Sequence, residues 1–132
     1  MDITIYPGKL SGTVQIIPSK SQAHRLLICA AFADKATEII CPEINEDISA
    51  TADCLTALGA QIQRTEMGYQ IVPIRNFPKK AVLNCKESGS TLRFLIPVAL
   101  AVTGGGVFTG RGRLMERPQK PYFDLFDAKG IS

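Results

Sequence analysis

The chain has 132 residues, 45% of them hydrophobic and 20% charged, with a formal net charge of +3. That is enough for one ordinary domain with a sizeable core, and it excludes the disordered and collagen-like classes. Lys and Arg are interspersed with acidic residues, so the dense basic stripe of a nucleic-acid binder is missing, and small anions are the expected partners.

In chain order, the β-branched run at 12–17 reads as a strand that Pro18 ends. A helix is predicted over 21–33, apolar nearly all round beyond its first turn and therefore buried. Residues 37–41 form a short strand closed by Pro42, and Asn45 or Asp47 caps a helix running through Ala50, Cys54, Leu55 and Leu58 to Gly59. Residues 61–65 and 69–72 are a hairpin around a Gly-containing turn. The order so far is β-α-β-α-β-β, and the Pro- and Lys-bearing stretch 73–80 is a connector.

The pattern then restarts with a strand at 81–85 and an apolar helix at 89–101, bent at Pro97, where a backbone donor is lost. A strand at 106–109 and a helix at 122–129 capped by Gly130 continue it to the end of the chain. The repeat has a period of about 70 residues, with Arg25 answering to Arg93 and Gly59 to Gly130. A mixed α/β fold is therefore expected: one complete unit at about 12–72, and a partial second at about 81–132 that lacks its closing strand pair. The helices starting near Ser21 and Gly89 should pack side by side in the interior. The end of the chain at Ile131-Ser132 is expected to be a truncation, because it leaves a sheet edge unpaired.

The opening Met1-Asp2-Ile3-Thr4-Ile5-Tyr6 has neither the basic nor the apolar region of an export signal, and no segment approaches the roughly 20 apolar residues that span a bilayer. A cytoplasmic protein without membrane attachment is expected. Cys29, Cys41, Cys54 and Cys85 stand singly, and read as buried thiols in a reducing compartment, neither a zinc site nor a disulfide frame.

Two segments share one design, a strand leading through a Ser-containing turn into a helix with cations in its first turns. They are Ser19-Lys20-Ser21-Gln22-Ala23-His24-Arg25 and Glu87-Ser88-Gly89-Ser90-Thr91-Leu92-Arg93. Free N–H groups and the positive dipole end make a helix N-terminus an anion site, and cations placed there are mildly repelled unless an anion is bound. Taken singly, each is equally well read as ordinary Ser capping with snorkelling basic side chains, and the recurrence of the design favours the anion site. Neither turn carries a P-loop or dinucleotide fingerprint. In a third segment, Arg111-Gly112-Arg113-Leu114-Met115-Glu116-Arg117-Pro118, the arginines read on spacing alone as a solvated loop, with a guanidinium clamp as the alternative. His24, the only histidine, reads as a packing residue and is assigned no catalytic part.

Together these segments resemble 3-phosphoshikimate 1-carboxyvinyltransferases. Pro18-Ser19-Lys20-Ser21 through Arg25 resembles their P-G-S-K-S-x-x-x-R motif, Glu87 through Arg93 their N-[AS]-G-T-x-x-R segment, and Leu114-Met115-Glu116-Arg117-Pro118 their R-M-x-x-R-P segment. Two positions depart: no Gly separates Pro18 from Ser19, and Glu87 stands where many relatives have Asn. The sister transferase acting on a UDP-amino sugar would carry Lys-Asn where this chain has Lys20-Ser21, and a reactive cysteine in the loop of Arg111 to Arg117.

The resemblance implies the two-domain enolpyruvyl transferase fold, of which this chain would be the N-terminal portion, with the C-terminal half absent. It implies transfer of the enolpyruvyl group of phosphoenolpyruvate to the 5-hydroxyl of shikimate 3-phosphate, in aromatic amino acid biosynthesis, without metal or organic cofactor. Lys20 is implied as the catalytic residue bridging both substrates. Ser21 and Arg25 would hold shikimate 3-phosphate, Gly89 and Arg117 phosphoenolpyruvate, with Arg93 in support. The whole enzyme is expected to be a monomer and the fragment alone inactive, the alternative being a freestanding phosphate-binding module.

Overall fold

The computed structural model describes residues 2–14 and 16–131. Helix α1 (Lys20–Ala31) starts where the Ser19 hydroxyl accepts the Gln22 N–H. After strand β1 (Thr37–Ile40) comes α2 (Glu46–Ala57), whose Asn45 side chain accepts from the Ile48 N–H at 3.0 Å. Glu46 and Asp47 stand in its first turn, where negative charge meets the positive end of the dipole. Strands β2 (Gln61–Thr65) and β3 (Gly68–Val72) form the hairpin, and residues 73–81 carry neither helix nor strand. Next come β4 (Val82–Asn84), α3 (Gly89–Thr103), β5 (Val107–Thr109), a 3-10 turn at Gly112–Glu116, and α4 (Lys120–Lys129).

Two separate sheets result among the described residues. One is antiparallel in the order β1-β3-β2, with Ile39 opposite Tyr69 and Ile62 opposite Ile71. Gly68 begins β3 with a φ of 149°, and a side chain there would collide with the Ile39 carbonyl, so the close pairing of β1 with β3 requires glycine. The other sheet pairs β4 and β5 in parallel, Leu83 opposite Phe108, with α3 as the crossover that parallel strands need.

One hydrophobic core joins these parts. Ala23, Leu27 and Ala31 of α1, Ile48 and Leu55 of α2, Ile71 of β3, Leu83 of β4, and Leu95 and Ala99 of α3 belong to a single buried cluster. Helix α2 is its hub, packing on α1, α3, β2 and β4. Ile48, Leu55 and Leu83 are almost fully buried. At about 25 cal/mol per Å² of apolar surface, each large side chain removed from water adds about 1.5–3 kcal/mol of gross stabilisation.

Four expectations are corrected. No strand forms at 12–17: the described residues of that stretch have no ladder partner, Val14, Ile16 and Ile17 are exposed, and Gln15 lies outside the described residues. Strand propensity expresses itself only beside another strand, and β1 is paired on one edge alone. Helix α1 is not buried all round, since Arg25, Leu26, Cys29 and the adjoining Phe32 face solvent, and α3 likewise exposes Arg93, Pro97 and Ala101. The two helices meet chiefly through α2 rather than directly. Accordingly Cys29 is an exposed thiol, while Cys41, Cys54 and Cys85 are buried as expected.

Candidate functional site: three joined helix N-termini

The N-termini of α1 and α3 carry no acidic residue in their first turns, whereas α2 neutralises its own with Glu46 and Asp47. Two uncompensated dipole ends therefore stand beside one compensated end. Side chains tie the three together. Lys20 Nζ, at the start of α1, lies 2.5 Å from Asp47 Oδ2 on α2. The Asp47 carbonyl oxygen in turn lies 3.3 Å from Thr91 Oγ1 of α3. Arg25 Nη1 donates to the Ser21 carbonyl at 2.7 Å, and its guanidinium carbon sits 4.9 Å from the centroid of the Phe94 ring on α3, a cation–π contact across the two helices.

The arginine loop closes on the start of α3. The Arg117 guanidinium lies directly against Gly89, so tightly that a Cβ on residue 89 would run into it. Glu87, one residue before the Ser88 cap, accepts the Arg113 N–H and sits against Gly112. Arg111 pairs with Glu46, and its backbone N–H donates to the Lys86 carbonyl at 2.8 Å. Of the loop arginines, Arg111 is thus spent on a carboxylate, while Arg117 is turned to the helix end. Among the described residues Arg25, Arg93 and Arg117 have no carboxylate partner; Arg93 is exposed, and its carbonyl accepts the Tyr122 hydroxyl at 2.7 Å. Arg117 also lines an apolar cavity of about 420 Å³ between α3 and α4, together with Leu92, Ile96, Phe108 and Tyr122.

Beneath the three helix ends runs a buried polar chain. His24 Nδ1 lies 2.7 Å from Thr51 Oγ1, Thr51 Oγ1 lies 2.7 Å from Thr91 Oγ1, and Thr91 Oγ1 donates to Ser88 Oγ at 2.7 Å. Ser88 also caps α3 by accepting the Thr91 N–H. Burial holds the His24 pKa below the ordinary value of 6.5; Asp47 opposes that shift, and Lys20 and Arg25 reinforce it. A neutral imidazole inside the protein is the result.

The structure thus brings Lys20, Ser21 and Arg25 to one helix end, Gly89 and Arg117 to another, and links the two through Asp47 and Thr91. Asp47, read from the sequence only as a candidate cap, proves to be the partner of Lys20, and Asn45 is the cap. Sequence reasoning does not single out Thr51 and Thr91; two threonines on apolar helix faces, each fully buried, are the available signal. Among the described residues no group of three His, Cys, Asp or Glu is placed to hold a metal ion, and no helix is long and apolar enough to cross a membrane.

A family model described as EPSP synthase (3-phosphoshikimate 1-carboxyvinyltransferase) matches residues 5–132. The chain belongs to the EPSP synthase family. It is 41% identical to the 3-phosphoshikimate 1-carboxyvinyltransferase of Clostridium beijerinckii and 42% identical to that of Clostridioides difficile, each over 98% of this chain and 32% of the relative. The chain therefore spans about a third of the length of these relatives. Among solved structures it superposes on EPSP synthase from Acinetobacter baumannii with a TM-score of 0.75 at 22% identity, over 92% of this chain and 28% of that one. This likeness shows that the mixed α/β architecture is that of the EPSP synthase fold.

Proposed function

We propose that this chain supplies one wall of the active site of a 3-phosphoshikimate 1-carboxyvinyltransferase. The observation that carries the reading is the joining of two uncompensated helix N-termini, with Lys20 and Arg25 at one and Arg117 against Gly89 at the other. Shikimate 3-phosphate and phosphoenolpyruvate are both multiply anionic, and preorganised N–H groups and guanidinium ions gather such ligands without reorganising. In this reading Ser21 and Arg25 hold the phosphate of shikimate 3-phosphate, and Gly89 and Arg117 hold phosphoenolpyruvate, with Arg93 beside them. Lys20 bridges the two.

The chemistry asked of the complete enzyme is attack of the 5-hydroxyl of shikimate 3-phosphate on the protonated enolpyruvyl double bond, followed by loss of phosphate from the tetrahedral intermediate. Cations fixed around the departing phosphate stabilise the charge that develops there. Since the chain spans about a third of its relatives, the 132 residues by themselves are expected to bind anions without turning them over. We further propose that residues 12–72 and 81–132 are one complete and one partial copy of a repeated unit, that the whole enzyme works as a cytoplasmic monomer, and that no cofactor takes part.

The test is a phosphate-release assay with both substrates on the purified chain, run beside a Lys20→Ala control. The expected result is binding without release. Sustained release that the control abolishes would overturn the reading of the chain as a single wall.

A further inference from the structure

His24, Thr51 and Thr91 are completely buried and Ser88 is 1% exposed, yet they form an unbroken polar chain through the first two turns of three helices. Its proton order is set by the other ring nitrogen of His24, Nε2, which is buried and has no hydrogen-bond partner among the described residues. A neutral imidazole carries one N–H, and an orphaned buried N–H costs more than an orphaned ring lone pair. The proton therefore belongs on Nδ1, which donates to Thr51 Oγ1.

Direction then propagates. With its oxygen occupied by His24, the Thr51 hydroxyl passes its own proton to Thr91 at 2.7 Å, the Asp47 carbonyl at 3.5 Å being the weaker acceptor. Thr91 donates in turn to Ser88 at 2.7 Å in preference to the same carbonyl at 3.3 Å. The first link joins α1, which carries Lys20 and Arg25, to α2, which carries Asp47; the second joins α2 to α3, and the third, within α3, ends at the Ser88 cap that precedes Gly89.

We propose that His24, Thr51 and Thr91 are positioning residues, a one-way hydrogen-bond chain from His24 to Ser88 that fixes the separation of the Lys20 and Gly89 helix ends. This role rests on the anion-site reading and names what holds that site in register. An apolar contact of equal volume tolerates sliding of one helix along another, whereas the two directed bonds of 2.7 Å between helices, His24 to Thr51 and Thr51 to Thr91, are stretched or misaligned by a shift of about 1 Å, a displacement large enough to disable a preorganised site.

Two measurements on this chain test it. Long-range 1H–15N correlation spectra of the His24 ring are expected to show the Nδ1–H tautomer, uncharged at pH 7. Titration with inorganic phosphate at low temperature is expected to show binding weakened about tenfold in Thr51→Val and Thr91→Val, and restored in Thr51→Ser and Thr91→Ser, which keep the hydroxyl. Serine rescue separates the hydroxyl from simple filling of space, and the tautomer is a signature that packing alone does not set. An Nε2–H tautomer, an imidazolium at pH 7, or valine variants that bind phosphate as well as the parent would overturn the inference. If the parent binds no phosphate while His24 shows the expected tautomer, the anion site fails and the positioning role falls with it; the spectra distinguish that case from failure of the chain itself.

Discussion

Lys20 Nζ stands 2.5 Å from Asp47 Oδ2, so the cation expected to bridge two anionic substrates is held by a carboxylate while it waits. Both side chains are partly exposed, and pairs of this kind contribute about 0–1 kcal/mol. Such a pair is readily exchanged for a phosphate. Asp47→Asn should therefore leave stability nearly unchanged and strengthen binding of inorganic phosphate by about threefold at low salt, an effect fading at high salt. Calorimetric titration checks this, and weaker binding by the variant would assign Asp47 a direct part in holding the ligand.

Gly89 is pressed by the Arg117 guanidinium and has no left-handed backbone to maintain. Gly89→Ala should consequently be neutral or slightly stabilising for a helix start, while pushing Arg117 aside. The unfolding free energy from denaturant titration is expected to change by less than about 1 kcal/mol, with phosphoenolpyruvate binding reduced about tenfold. Unchanged binding would show that Arg117 and residue 89 do not act on the same ligand.

The pH dependence of stability follows from His24, the only histidine. Its pKa is depressed in the folded chain by burial, with Lys20 and Arg25 adding to the effect and Asp47 opposing it. Below the ordinary value of 6.5 the unfolded chain takes up a proton that the folded chain refuses, so stability is full above that pH and falls beneath it. The limiting slope is about 1.4 kcal/mol per pH unit. Urea unfolding at pH 7.5 and pH 5.5 measures it, and a His24→Asn variant should lose this part of the dependence. Equal slopes in the two proteins would mean that His24 titrates normally.

The thiols divide into one exposed and three buried. The neighbouring Cys85 thiol, together with burial, pushes the Cys54 pKa up from its ordinary value, while Cys54 lowers that of Cys85. One thiol per chain, Cys29, should react promptly with an aromatic disulfide reagent, the others only on unfolding. Fast reaction of Cys41, Cys54 or Cys85 in the native chain would contradict the packing described.

What could be read from the sequence was what local chemistry decides. The Asn45 cap, the Gly130 end of α4 and the β2–β3 hairpin depend on side chains within a few residues of one another. The cationic helix starts at Lys20 and Gly89 were visible for the same reason. Nonlocal geometry was not. Residues 12–17 have strand-forming side chains, but those of them that are described have no neighbouring strand among the described residues, and Leu26 and Cys29 lie on an apolar face that nothing among the described residues covers. Thr51 and Thr91 meet only because α2 packs against α3, a contact between residues 40 positions apart that no motif announces.

Binding of a sugar-ring phosphate by the joined helix ends is the property on which the functional reading most directly depends. Isothermal titration of shikimate 3-phosphate into the purified chain, repeated with Lys20→Ala and Arg25→Ala, measures this. The predicted result is weak, saturable, salt-sensitive binding at one site, reduced at least about tenfold in each variant. Absence of saturable binding in the parent, or equal binding in all three proteins, would contradict the claim that Lys20 and Arg25 form an anion site at the start of α1.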